Sequence, residues 1–276
     1  MRNNQDRLGP SAIATAQGAA PAASNLSFVV PTEFVELPSR GKFYSDSHPL
    51  YNQETIEIKY MTAKEEDILA SSTLIKKGLV IDRLLENILV LNIDPSTLLV
   101  GDRSALMVAA RISSYGFDYK AELTCSGCTK EQEYNFDLRK SNLQQSCFDK
   151  EFLAGNNITF NDEKKVFEIL LPKSKVRLGV RMLTGKDEKD PAGEQNDEKT
   201  VTSVLSRFAF SVNGDEEPSL VSQFVGNMLA ADSRYLRIIL ADVTPNLDLK
   251  QEFVCKHCGF SEDREVPLTA EFFWPE

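Results

Sequence analysis

Histidine is nearly missing from this chain of 276 residues, which holds only His48 and His257. A Ser-His-Asp or Cys-His system would have to draw on His48, in a stretch with no regular pattern, because His257 stands between two cysteines. Loops that cradle phosphates are missing as well, since neither G-x-G-x-x-G nor G-x-x-x-x-G-K-[ST] occurs. No run of eighteen apolar residues exists and the first residues lack an apolar signal-peptide core, so a cytoplasmic product without a membrane-spanning segment is expected. Basic residues are short, 31 against 41 acidic ones, for a net charge of -10. A surface of that sign repels phosphate backbones, so no nucleic-acid partner is expected. Cysteine is scarce, with five residues of which four fall in two C-x-x-C pairs; this excludes a disulfide framework and points to a reducing compartment and a metal.

Those pairs, Cys125-Ser-Gly-Cys128 and Cys255-Lys-His-Cys258, are the strongest chemical signal in the chain. Each short turn lets two sulfurs reach one ion at about 2.3 Å, and two such turns complete the tetrahedral cage of a structural Zn²⁺. Four sulfurs close the coordination shell, whereas a catalytic zinc keeps a position open. Thioredoxin-like redox chemistry needs the pair at a helix N-terminus, and here both pairs lie between strand patterns. Cys147 is left over as a buried free thiol.

The flanks of the two knuckles match at an offset of 130. Asp118/Asp248, Lys120/Lys250, Glu122/Glu252, Cys125/Cys255, Cys128/Cys258 and Leu138/Leu268 coincide, where ordinary composition gives about one identity in such a window. Upstream, Asp102 with Leu106, Ala109 and Ala110 lies over Asp232 with Leu236, Ile239 and Leu240, each a helical stripe behind a candidate N-cap. Ile81, Leu84, Leu85, Ile88 and Leu89 match Val201, Val204, Leu205, Phe208 and Ala209, again one helix face. Ile56 to Asp67 resembles Leu178 to Lys189, a strand entering a capping sequence at Thr62-x-x-Glu65 and Thr184-x-x-Asp187. Val35-Glu-Leu-Pro-Ser39 has its counterpart in Leu170-Leu-Pro-Lys-Ser174. The expected fold is α+β, two tandem related repeats joined by a shared zinc-ribbon-like site of four cysteines.

The domain boundaries follow. Residues 1–26, poor in large apolar groups, read as a disordered arm. Residues 27–138 form the first repeat, 139–164 a polar, partly helical connector holding Cys147, and 165–276 the second repeat. In the second repeat Gly185 to Lys199 reads as an acidic mobile loop. About ten extra residues between the main helices carry an apolar face of Val221, Phe224 and Val225. The chain finishes on Phe272, Phe273 and Trp274, which either pack on the sheet or form a partner-binding anchor. The acidic cluster Glu65-Glu-Asp67 places negative charge at a helix N-terminus, as Asp187-Glu188 does in the second copy.

Four strings occur in order: Val35-Glu-Leu-Pro-Ser-Arg-Gly-Lys-Phe-Tyr44, Met61-Thr-Ala-Lys-Glu-Glu-Asp-Ile-Leu-Ala-Ser71, Leu99-Val-Gly-Asp-Arg-Ser-Ala-Leu-Met-Val-Ala-Ala-Arg-Ile112 and Tyr115-Gly116 ahead of C-x-x-C. Over residues 32–128 the chain resembles the baseplate hub family of T4-type contractile-tailed phages. The resemblance implies a non-enzymatic structural or assembly protein whose partners are other baseplate and hub proteins. Its place would be the host cytoplasm during assembly and, if it is retained, the virion tail baseplate. The alternative is a zinc-ribbon regulator that binds nucleic acid. That role needs a basic stripe beside the knuckles, where only Lys130, Lys256 and Arg264 are at hand. An enzyme using His48 or the acidic cluster is the third reading.

Overall fold

The computed structural model describes residues 29–188, 200–268 and 270–273. The N-terminal arm, most of the acidic loop and Trp274 lie outside the described residues. The first half opens with the antiparallel pair β1 (Thr32–Glu36) and β2 (Thr55–Lys59), in which Val35 faces Ile56. Val35, Leu37, Ile56 and Ile58 point inward, the alternation of a sheet with one buried face. Between the strands Gly41 turns the chain at φ +68°, and a Cβ there would fall on the backbone of Leu50 and Gln53.

Helix α1 (Ala63–Leu69) starts on the expected capping box. The Glu65 carboxylate accepts from Thr62 N–H at 2.7 Å, and Glu65 and Glu66 occupy the helix's positive end. Helices α2 (Ser72–Lys76) and α3 (Val80–Ile88) follow. Val80, Leu84, Leu85 and Ile88 make the buried face of α3, and Leu89 leaves it to bridge Ile58 on β2. Helix α4 (Val100–Tyr115) ends at Gly116, φ +84°. The knuckle hairpin β3 (Asp118–Thr124) and β4 (Glu131–Asp137) completes the half.

Residues 139–164 are more structured than a polar connector. They contain β5 (Asn142–Gln144), helix α5 (Lys150–Gly155) and β6 (Ile158–Asn161). β6 is the first strand of a four-stranded sheet with β7 (Val166–Leu170), β8 (Arg177–Arg181) and β9 (Ala209–Val212), in the order β6-β7-β8-β9. Phe43 from the first half packs against Phe148, Phe160 and Phe167 with ring centroids 5.3 to 5.6 Å apart, so this segment is part of the core.

The second half continues through the short helix α6 (Gly185–Glu188) and α7 (Val201–Phe208), which runs directly into β9. Helix α8 (Pro218–Gly226) buries Val221 and Val225, the apolar face expected of the extra residues. Then come α9 (Ala230–Val243), β10 (Asn246–Asp248) and the second knuckle hairpin, β11 (Lys250–Val254) and β12 (Ser261–Glu265). β10 pairs with β5. Val100 N–H bonds to Leu183 O and Gly185 N–H to Leu98 O, so the entry to α4 is laced into the second half. A continuous core runs from Val35 to Phe273, and a small satellite of Cys125, Phe253 and Cys255 sits under the knuckles. Among the described residues no helix is long and apolar enough to cross a membrane.

Candidate metal centre

Each knuckle is a tight turn at the tip of its hairpin, and the two tips have the same backbone bonds. Cys125 N–H donates to Lys130 O and Thr129 N–H to Cys125 O; Cys255 N–H donates to Phe260 O and Gly259 N–H to Cys255 O. The residue after the second cysteine takes the left-handed conformation in both, Thr129 at φ +57° and Gly259 at φ +71°. Gly127 N–H points at Cys125 Sγ at 3.3 Å and His257 N–H at Cys255 Sγ at 3.4 Å. Such donors favour thiolate over thiol. Burial raises Cys255, but the N–H groups of His257 and Cys258 and the neighbouring thiols outweigh it and hold the thiol at about 6.

The four sulfurs meet although 126 residues separate the pairs. Cys125 Sγ lies 3.7 Å from Cys258 Sγ, Cys128 Sγ lies 3.7 Å from Cys255 Sγ, and all four lie within 4.8 Å of one another. Sulfurs at the corners of a tetrahedron with 2.3 Å bonds to a central ion are about 3.8 Å apart, so the donor set fits one ion with soft ligands. Burial falls from Cys125 and Cys255 through Cys128 to the exposed Cys258, so the cage is deepest at the first cysteine of each pair. His257 is exposed and its ring belongs to no ligand group, in keeping with a turn residue facing solvent.

Other contacts lock the hairpins together. Tyr134 OH donates to Glu252 O at 2.8 Å, and Lys256 N–H to Gln132 Oε1 at 2.8 Å. Gln251 both accepts from Asp137 N–H and donates to Asp137 O, while Arg264 reaches Thr124 O and Ser126 Oγ. Tyr134 also packs edge-on against Phe253 beneath the sulfurs.

Two aspartates expected as helix N-caps do something else. Asp102 and Asp232 lie inside the first turns of α4 and α9, whose N-cap residues are Leu99 and Leu229. Both are fully buried and reach across to the loop after the first strand of their own half. Asp102 accepts from Ser39 N–H at 3.0 Å, Ser39 Oγ at 2.6 Å and Tyr44 OH at 2.8 Å. Asp232 accepts from Lys173 N–H at 2.8 Å and Ser174 N–H at 2.9 Å. Burial pushes Asp102 above the usual carboxylate range despite its three donors. At Asp232 burial also raises the pKa, but the N–H groups of Lys173 and Ser174 outweigh it and hold the carboxyl below that range. A capping aspartate and a first-turn aspartate precede the same apolar stripe, so periodicity could not separate them.

Two further groups had no signal in the sequence pattern. Arg103 is buried and bonds Asp82 at 2.8 Å, Pro95 O at 2.8 Å and Glu188 at 3.1 Å, tying α3, α4 and α6. Arg111 donates to Phe272 O at 3.0 Å and to Gly116 O at 3.1 Å. That anchor explains the chain's last described turn, where Phe272 and Phe273 are fully buried and Phe272 packs edge-on to Tyr119 at 5.1 Å. The two phenylalanines therefore fill the chain's own core; Trp274 is not among the described residues.

The remaining polar candidates serve the fold. His48 stacks on Tyr44 at 4.2 Å, meets Thr97 Oγ1 through Nε2, and accepts Leu50 N–H at Nδ1. Cys147 is buried, which pushes its thiol up to about 12 and leaves it unreactive.

No curated protein and no solved structure matches the chain. A family model described as "T4 bacteriophage base plate protein" matches residues 30–274, nearly the whole of the described chain and both knuckles. The likeness first visible over residues 32–128 thus extends through the second half, and the chain belongs to the T4 bacteriophage base plate protein family.

Proposed function

We propose that this chain is a non-enzymatic structural or assembly protein of the phage tail baseplate hub, working through contacts with other baseplate proteins. Membership of the baseplate family over residues 30–274 is the observation that carries this reading. The site chemistry supports it. Four sulfurs form a closed set without an open position for a substrate, and His48, Asp102 and Cys147 are all engaged in packing or buried bonds.

In this proposal Cys125, Cys128, Cys255 and Cys258 hold one structural Zn²⁺. The ion fixes the tip of one hairpin to the tip of the other, and the chain's own residues, Tyr134, Gln251 and Arg264, set their angle. We also propose that the two halves are copies of one unit. Support comes from bonds that fall at matching positions: Asp102 and Asp232 on the strand-end loops, Thr62 with Glu65 and Thr184 with Asp187 at the helix starts, and the paired N–H to sulfur contacts in the knuckles.

Affinity purification of the chain from infected cells tests the role: it should bring down baseplate subunits, and elemental analysis of the pure protein should return one zinc per chain. Isolation of the chain free of every baseplate assembly would overturn the role. No zinc, or two zincs bridging a dimer, would overturn the shared site.

A further inference from the structure

The sheet in the second half has a strand that the first half lacks. β1 and β7 occupy matching places: Leu37 N–H bonds to Glu54 O just beyond β1, and Leu171 N–H bonds to Val176 O just beyond β7. On its other edge β7 is covered by β6, with Thr159 opposite Glu168. Glu168 corresponds to Phe34, since Leu171 lies over Leu37. Among the described residues β1 pairs only with β2. Bonds from Tyr60 N–H to Pro31 O and from Leu37 N–H to Glu54 O place the odd-numbered residues of β1 on the inner ladder. The backbone groups of Thr32, Phe34 and Glu36 therefore face outward with no backbone partner among the described residues. Phe34 is 71% exposed, an unusual state for an aromatic side chain on a sheet edge.

From this geometry we infer that the open edge of β1 is a docking site for an extended strand of another baseplate subunit, which adds antiparallel to β1 as β6 adds to β7. The inference rests on the baseplate role proposed above. Local charge gives the chemistry of the incoming strand. On the face carrying Phe34 stand Glu36 and Glu57, against Lys59 alone, so the strand that fits has an apolar residue beside Phe34 flanked by Lys or Arg. The chain's own preceding residues are poorly suited. β6 turns into β7 through Asp162-Glu-Lys-Lys165, with Lys165 at φ +53°, whereas β1 is entered through Val29-Val30-Pro31. β-Branched residues and a proline resist so tight a reversal.

Amide hydrogen exchange on the full-length chain, free and within baseplate assemblies isolated from infected cells, tests this. In the free chain the amides of Thr32, Phe34 and Glu36 should exchange without protection, and incorporation should slow them about tenfold or more. Phe34→Pro removes an outward N–H together with the exposed ring and no bond of the β1–β2 ladder, so the variant should fold and yet enter assemblies about tenfold less often, with Phe34→Ala, which keeps the N–H, losing less. An incorporated chain whose three amides stay unprotected overturns the docking site while leaving the baseplate role intact, and this measurement decides even if Phe34→Pro fails to fold. Protection already present in the free chain also overturns it: loss of that protection on dilution identifies a second copy as the occupant, and loss on removing residues 1–26 identifies the arm. A chain that never enters assemblies overturns the baseplate role and the inference together.

Discussion

The two halves keep the same anchors and differ in what is added around them. Both have a strand pair, a helix start where a threonine N–H donates to the carboxylate three residues on, a buried aspartate reaching back to the strand-end loop, and a knuckle hairpin. The first half passes from α3 to α4 through a short segment with the turn Pro95–Thr97, whereas the second inserts β9 and α8 between α7 and α9. The inserted β9 pairs with β8 at Val180↔Ala209, where the first half has only the single bridge Ile58↔Leu89. The second half thus carries a four-stranded sheet where the first carries a two-stranded one. Buried polar anchors tolerate little change because each has a fixed partner, while edges can gain or lose a strand.

The knuckles bring four sulfurs from both halves to one place, so the largest effect is expected there. Structural zinc contributes on the order of 10 kcal/mol or more of apparent binding free energy in small peptides, part of which organises the chain around the ion. In this chain each half has its own helix faces and the core runs through both. Cys125→Ser or Cys255→Ser should therefore abolish zinc binding yet keep most of the helical circular dichroism at moderate temperature. Limited proteolysis should cut sooner near the second knuckle and within residues 139–160. Complete loss of secondary structure would instead make the ion the folding nucleus of the whole chain, and unchanged proteolysis would mean that the knuckles do not join the halves.

Next in size is the buried aspartate in each half. Asp232→Ala removes the acceptor of the Lys173 and Ser174 N–H groups, but Lys173 is exposed and Ser174 half-buried, so water can take the place of the carboxylate in part. Asp102→Ala strands the N–H and hydroxyl of Ser39 and the hydroxyl of Tyr44, all in buried residues and each worth about 1 to 3 kcal/mol without a partner, so thermal melts should show the first-half variant as the less stable. Acid should act on the two in opposite directions. The folded pKa of Asp232 is lowered, so its stabilisation is present above the ordinary carboxylate value and is lost as pH falls through the folded pKa. Asp187, whose burial is outweighed by Arg181 and Thr184 so that it sits at about 2, acts in the same direction in the same half. Asp102 is raised, so protonation relieves it and its penalty appears only as pH rises above the unfolded value. Below about pH 4, then, the second half should open first, which exchange rates in α9 against α4 would reveal.

Much of this was legible in the residues. Two C-x-x-C pairs with matched flanks are enough to place four sulfurs together, and the apolar spacing gave α3, α8 and α9 because each has one buried face; α4 carries the same stripe but is buried on most of its sides. What stayed hidden depends on distant partners. β5 is three residues long and exists because β10, about a hundred residues later, pairs with it. Phe208 and Ala209 continue the stripe of α7, but Ala209 begins β9 because the edge of β8 is free to accept it. Phe272 and Phe273 have the composition of an interface anchor, and the carbonyl grip of Arg111 is what turns them inward.

A smaller effect attends that grip. Arg111 on α4 corresponds to Ala241 on α9, so only the first-half helix holds a terminal segment. Arg111→Met removes the bonds to Phe272 O, Gly116 O and Asp118 O while keeping apolar bulk over Tyr115. It should cost about 2 kcal/mol and expose the C-terminal turn to carboxypeptidase, whereas Ala241→Met, beside the Gln144 contact to Ala241 O, should leave that turn intact.

The smallest expected difference lies at the two helix starts. Thr62 donates Oγ1–H to Glu65 at 2.7 Å and accepts Lys64 N–H at 3.3 Å, while Thr184 donates Oγ1–H to Asp187 at 3.0 Å. Asp187 is held independently by a two-pronged contact with Arg181 at 2.6 and 2.9 Å, and Glu65 has no such cation among the described residues. Removing the threonine hydroxyl therefore loosens the first-half carboxylate and leaves the second-half one in place. Thr62→Ala should destabilise by about 1 kcal/mol and Thr184→Ala by less. Adding Arg181→Met to Thr184→Ala should then bring the second half's loss up to or beyond that of the first. Equal losses for the two single variants, measured in urea melts, would mean that the arginine contact contributes nothing and that the two helix starts are equivalent in energy as well as in sequence.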